Sequence, residues 1–170
     1  VTVVVPARST LTEEPWFGGK VQKVASVAAS CCASAVTLAS PLLFGGEGRL
    51  TMFDARAFNL PTAAEAANCL VWRQQDAVRN SVAAAGQARF SHRRLHGVPV
   101  RGVKEMLAAA GAPWEALDPG LQRGRWVRRL PYEGPGGCER HRWVAEAAPR
   151  FTDARAELLA MLTRAPRDEV

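Results

Sequence analysis

The stretch FDARAFNLPTAAEAANCLVWRQQDAVRN, residues 53–80, decides how the rest of the chain is read. It opens with an extended apolar piece carrying Asp54 and Arg56, then breaks at Pro61. Thr62 followed three residues later by Glu65 has the form of a capping box, so a helix is predicted from residue 63 to about residue 90, loosening at Gly86. On that helix Arg73, Asp76 and Asn80 recur at spacings of three and four and share one face. Polar groups on an inward helix face need partners, because burying one alone costs about 2–7 kcal/mol. The question is whether Asp54, ahead of this helix, is a metal-binding carboxylate.

The 170 residues suffice for one domain with a real core, and 48% hydrophobic with 22% charged residues is ordinary for a soluble globular chain. A net charge of +6 and a pI of about 9.8 favour an anionic partner such as RNA or a nucleotide, or reflect arginine-rich codon usage. The basic residues cluster in QRGRWVRR (122–129) and CERHRW (138–143), interleaved with tryptophan. No apolar run reads as a membrane helix, since four serines interrupt residues 24–43. Cys31, Cys32, Cys69 and Cys138 form no CxxC pair; the adjacent Cys31 and Cys32 and the mid-helix Cys69 read as small buried apolar residues in a reducing, cytoplasmic setting. His92 and His96, and Cys138 and His141, are too sparse for a structural zinc.

Along the chain, residues 2–5 read as a strand, 6–19 as a loop and 20–38 as a helix rich in small residues. PLLFGGEG breaks that helix, and residues 49–59 read as a second strand. After the WRQQD helix come a turn or extended piece, a short helix over 103–110, a loop, strands 126–130 and 141–144 that can pair, and a last helix over 152–164. The order implies an α+β layer design.

At EPWFGGKVQKVASVAAS, FDARAF, VWRQQDAVRNS and LQRGRWVRR the sequence resembles the tRNA-His guanylyltransferase family, in its bacterial and archaeal-type branch, over residues 1–152. The resemblance implies an α+β fold, a partial polymerase-like palm with a ferredoxin-like sheet and packed helices, over residues 1–130, followed by a basic C-terminal extension, 131–170, with a terminal helix. It implies magnesium-dependent addition of nucleotides to tRNA 5′ ends in the 3′-to-5′ direction, with GTP or ATP as substrate. The family holds magnesium with carboxylates from an early DGRxF-type strand and an SDE turn. FDAR, which lies just before WRQQD, matches a later element instead. The expectation is therefore that the chain starts downstream of those carboxylates, with no catalytic or metal-binding residue of its own. Glu13 and Glu14 sit in a loop beside Pro15.

By the same resemblance Lys23, and more weakly Lys20, bind triphosphate at a helix N-terminus, where backbone N–H groups add positive potential; the plain alternative is an exposed lysine. Arg56 reaches a phosphate or braces Asp54. Arg73, Asp76 and Asn80 line a nucleotide-proximal site or form a structural network. Val78 and Ser81 depart from the eukaryotic WRQxDxHxNN pattern. Arg123, Arg125, Arg128 and Arg129 match the basic end of the family domain and suit phosphate through bidentate hydrogen bonds, or form a solvated face. Trp126 and Trp143 pack in a core or stack a base. The implied partners are tRNA, a nucleoside triphosphate and a homo-oligomer or a complementing N-terminal polypeptide, with no membrane. The second reading is a non-catalytic RNA-binding or assembly partner, or a degenerate remnant.

Overall fold

A computed structural model describes residues 1–5 and 15–163. Glu13 and Glu14 lie outside them. The chain separates into two compact units, one holding Ala64–Leu162 and the other the described residues of Val3–Ala63.

The N-terminal unit is dominated by helix α1, Val21–Phe44. It runs past the predicted end at residue 38 and takes in Pro41. A proline inside a helix removes the N–H that would bond the carbonyl four residues back. Here Ser40 Oγ donates to that carbonyl, Thr37 O, at 2.8 Å, so the acceptor is still satisfied. Gly45, at φ 69°, ends the helix and donates its N–H to Pro41 O at 3.1 Å. Among the described residues, α1 is the one helix long and apolar enough to cross a membrane by length and composition.

The strands expected at 2–5 and 49–59 are not formed as ladders. Residues 49–51 instead bind along α1. Arg49 N–H donates to Ser40 Oγ at 2.7 Å, Thr51 N–H to Thr37 Oγ1 at 3.1 Å, and Thr51 Oγ1 to Ala33 O at 3.1 Å. β propensity supplies extended backbone, but a strand needs a neighbour to accept its hydrogen bonds.

The second unit is built on α2, Ala63–Gln87, as the capping pattern and periodicity predict. Then come α3, His92–Leu95, where a turn or extended piece was expected, and α4, Val100–Ala109. A single 3-10 turn over Trp114–Ala116 and the short α5, Pro119–Arg123, occupy the expected loop. Asp118 caps α5 by accepting from Gly120 N–H at 2.8 Å. Val82 on α2, Val103 and Leu107 on α4, and Trp114 form the buried core, with Val78, Ala85, Phe90, Leu95, Val98 and Leu117 packed around it. The helix ends at Gln87, one residue past Gly86 and short of the predicted residue 90, and Arg89 N–H turns back to Gly86 O at 3.0 Å. That glycine is buried, and a Cβ there would sit 2.7 Å from Val103 Cγ1, so its missing side chain lets α4 approach α2.

The two basic segments form an antiparallel ribbon, β1 Arg125–Glu133 and β2 Glu139–Ala147, longer than the predicted strands. Its register pairs Trp126 with Glu146, Arg128 with Val144 and Arg129 with Trp143. Helix α6, Arg155–Thr163, follows and buries Leu158. Helices with one two-stranded antiparallel sheet make the fold α+β, consistent with a partial polymerase-like architecture.

Candidate functional site

In the N-terminal unit the predicted phosphate-binding lysines sit at the start of α1. Lys20 is its N-cap residue and Lys23 lies in its first turn, with no acidic side chain in that turn and no side-chain cap at Lys20. The first N–H groups of a helix lack intrahelical acceptors, so lysines beside them gather positive potential at one point. Ahead of the helix the Trp16 and Phe17 rings stack at 5.1 Å, and Lys23 Nζ lies 5.5 Å over the Phe17 ring. Phe17 itself has φ 53°, a left-handed conformation uncommon outside glycine. Arg56 pairs with Asp54 at 3.7 Å, both exposed.

In the second unit the α2 set forms the network that the helix spacing predicts. Asp76 accepts from Asn80 Nδ2 at 3.4 Å and pairs with Arg73 at 3.8 Å. It is also paired with Arg79 at 3.4 Å, a partner the sequence reading missed although the i,i+3 spacing displays it. The two departures from the eukaryotic pattern serve packing. Val78 lies against the core, and Ser81 Oγ accepts from Trp114 Nε1 at 3.0 Å while donating to Leu121 O at 2.7 Å. Gln74, also overlooked, bonds the chain beyond β2 on both sides: its Nε2 donates to Pro149 O at 2.8 Å and its Oε1 accepts from Phe151 N–H at 2.8 Å.

The arginines of the basic end divide by face. Arg123 Nε donates to Ala148 O at 2.6 Å. Arg128 reaches Glu146 at 2.6 Å and Glu157 at 3.3 Å, and stacks 4.4 Å over the Trp126 ring. Trp126 is half-buried, 5.8 Å from the Phe151 ring, with Nε1 donating to Glu146. Arg125 pairs with Asp118 at 3.0 Å near the surface. Arg129 lies on the opposite, exposed face, level with Trp143, which is 71% exposed. The two tryptophans thus have different environments. Against the buried reading, Cys31 is exposed and Cys32 and Cys69 are only partly buried; Cys138 is exposed, and all four thiols are free.

An apolar cleft of about 220 Å³ opens between α2, α3 and α4, lined by Val82, Leu95 and Val103 with His92 and His96 at its edge; none of the predicted site residues borders it. Magnesium, which the sequence resemblance implies, takes hard oxygen ligands, and two-metal transfer needs carboxylates bridging cations about 3.5–4 Å apart. Asp54 is held by Arg56, and Asp76 by Arg73, Arg79 and Asn80. Among the described residues no three His, Cys, Asp or Glu side chains converge. These residues do not fit that ion pair.

No family model and no curated protein matches the chain. Solved structures do. A bacterial tRNA(His) guanylyltransferase (Thg1)-like protein in complex with ATP is 28% identical, with a TM-score of 0.77, over 92% of this chain. A bacterial Thg1-like protein in complex with GTP is 27% identical, with a TM-score of 0.66, again over 92% of this chain. The chain spans 64% of the length of the first and 61% of the second.

Proposed function

Taking the chain as a tRNA(His) guanylyltransferase-like protein, the family that its motifs and its fold both support, we propose that it is the nucleotide- and tRNA-binding part of a nucleotidyltransferase that extends tRNA 5′ ends in the 3′-to-5′ direction. The carrying observation is the fold shared over 92% of the chain with proteins that bind ATP and GTP. In this reading Lys20 and Lys23, with the α1 N-terminus, take the triphosphate, and Arg56 exchanges Asp54 for a phosphate oxygen. Arg73, Asp76 and Asn80 form a prearranged polar surface for the nucleotide, already mutually bonded and so costing little to order. Within the basic end, 123–129, Arg123, Arg125 and Arg128 brace the fold through Ala148 O, Asp118 and Glu146, and Arg129 is the arginine assigned to the tRNA backbone. The carboxylates for magnesium come from outside the described residues, in this polypeptide or a complementing one. The working protein is a cytoplasmic homo-oligomer.

A second reading, a non-catalytic RNA-binding or assembly partner, draws on the ion-paired state of Asp54 and Asp76. One experiment separates the two. ATP and GTP binding is measured by equilibrium dialysis on the 170-residue chain and its Lys23→Ala variant, and nucleotide transfer to 5′-monophosphorylated tRNA is assayed with magnesium. The expected result is binding weakened about ten-fold in the variant, the scale of a single charge-assisted hydrogen bond, and no transfer by the chain alone. Absence of triphosphate binding would overturn the first reading. Transfer abolished by Asp54→Ala would make FDAR the metal motif.

A further inference from the structure

In the N-terminal unit, residues 48–60 run without a turn or bend. Burial alternates along them: Thr51, Ala55 and Ala57 are half-buried, while Met52, Asp54, Arg56 and Phe58 are exposed. Phe53, on the covered side of the alternation, is 39% exposed, against 88% for Met52 and 65% for Phe58. A period of two is that of a β-strand with one covered and one open face. Successive N–H groups of such a strand point to opposite edges. Those of Arg49 and Thr51 are taken by the Ser40 and Thr37 hydroxyls of α1. The other edge, that of Met52, Asp54, Arg56 and Phe58, has no ladder, and no backbone group of residues 52–58 is hydrogen-bonded among the described residues. Unpaired backbone beside exposed apolar side chains is a template for another strand.

Resting on the homo-oligomeric reading above, we infer that residues 52–58 pair antiparallel with the same segment of a second copy of this chain, about a two-fold axis at Ala55. The order of side chains on the open face selects this partner, because it is complementary to itself when reversed. With the axis at Ala55, Asp54 stands opposite the partner's Arg56, and symmetry forms that pair twice. Met52 meets the partner's Phe58 on either side of the charged pairs, and Leu50 meets the partner's Leu60 beyond them. Moving the axis to Asp54 or to Arg56 would set like charges against each other. Moving it to a point between two residues would bring the covered face opposite the open one. One register therefore satisfies both charge and face. Within a single chain Arg56 and Asp54 meet only at 3.7 Å, 88% and 83% exposed, so little is lost when they exchange partners. The open face holds one acid and one base, so its net charge is zero and it does not call for a polyanion.

The test is sedimentation equilibrium of the 170-residue chain, of Asp54→Arg, of Arg56→Asp, of the double variant carrying both changes, and of the two single variants mixed in equal amounts. Wild type is expected to form a concentration-dependent dimer. Each single variant sets like charges opposite each other twice, and its self-association should weaken by about ten-fold or more. The double variant swaps the charges and should recover wild-type association. The mixture should associate as a heterodimer, because one chain then offers two arginines to the other's two aspartates. Recovery in the double variant and the mixture also shows that the single variants fold. A monomeric wild type overturns the pairing. So does association that the single variants leave unchanged, or a mixture no tighter than its parts. Lys23→Ala, which weakens ATP binding in the reading above, should dimerise as wild type does. ATP binding without strand pairing leaves the nucleotide reading standing and this inference refuted. Charge-swapped association without ATP binding does the reverse.

Discussion

Gln74 on α2 holds the backbone at Phe151, 77 residues further along the chain: its Oε1 accepts from the Phe151 N–H at 2.8 Å. The same amide gives its N–H groups to Pro149 O at 2.8 Å and Arg123 O at 3.4 Å. One side chain therefore satisfies backbone groups from both ends of the ribbon, where it leaves α5 and where it turns toward α6.

Replacing Gln74 by Ala leaves those part-buried backbone groups without partners, and the expected cost is about 2–3 kcal/mol. Gln74→Glu keeps the acceptor for Phe151 but sets a carboxylate against two carbonyls. Its deficit at neutral pH should be at least as large, and should shrink in acid, where a protonated Glu donates again. Thermal melts of both variants at neutral and acidic pH check this. An unchanged melting temperature in Gln74→Ala would show that water replaces the amide without loss.

The sequence shows some of these features plainly and hides others. Helix α2 is legible because its start signal and its three-to-four spacing are local, and so is the Arg73–Asp76 pair. The role of Gln74 is hidden, because no spacing on a helix announces a partner dozens of residues away. Trp126 and Trp143 look alike in sequence. They are told apart only once the ribbon register is set, which assigns each strand position to one face or the other. Residues 49–59 have strand composition, yet the available acceptors near Arg49 and Thr51 are the hydroxyls and carbonyl of α1. The open face of Trp143 became legible only with the fold.

Gly86 provides a second test of packing. A Cβ at this position meets Val103 Cγ1 at 2.7 Å, and valine on a helix has little rotamer freedom to withdraw. Overpacking costs about 1–3 kcal/mol, partly offset by about 1 kcal/mol of helix propensity gained over glycine. The net cost expected for Gly86→Ala is therefore about 0–2 kcal/mol. Coupling it with Val103→Ala should cost less than the sum of the two single changes, because the second change makes room for the first. Strict additivity in urea unfolding would count against close contact between α2 and α4.

Lys104 gives stability an acid limb. Its Nζ bonds Glu115 Oε1 at 3.0 Å and also lies 3.6 Å over the Trp114 ring. The hydrogen bond from Lys104 lowers the Glu115 pKa below its ordinary value, with the residue's own backbone N–H adding to it. A carboxylate whose folded pKa is depressed stabilises the fold above its unfolded pKa and loses that contribution as pH falls through the folded value. Glu115→Gln should therefore melt slightly below wild type at pH 7, and the gap should narrow as pH falls below the ordinary glutamate pKa of about 4.3 and on through the lower folded value. Lys104→Met should show a larger deficit, since it also removes the cation from the Trp114 ring. A gap that stays constant as pH falls below the ordinary glutamate range would place its origin elsewhere than in the ion pair.

Arg128 distinguishes a bracing arginine from an RNA-binding one. It is three-quarters buried, lies between Glu146 and Glu157 and stacks on Trp126, so removing it strips two carboxylates of their partner and uncovers the indole. Arg128→Ala should cost about 1–2 kcal/mol and lower the melting temperature. Joined to Arg125→Ala, it should leave tRNA affinity per folded molecule and its salt dependence close to wild type, since both guanidiniums already serve carboxylates of the chain. Deleting an arginine that neutralises one phosphate lowers the slope of log affinity against log salt by about 0.7–0.9. The double variant is therefore measured for melting temperature and for salt slope on one preparation. A lowered melting temperature with an unchanged slope places these two arginines in the fold. A flattened slope with an unchanged melting temperature would put them on the RNA backbone, where they would have to leave Glu146 and Asp118 to bind.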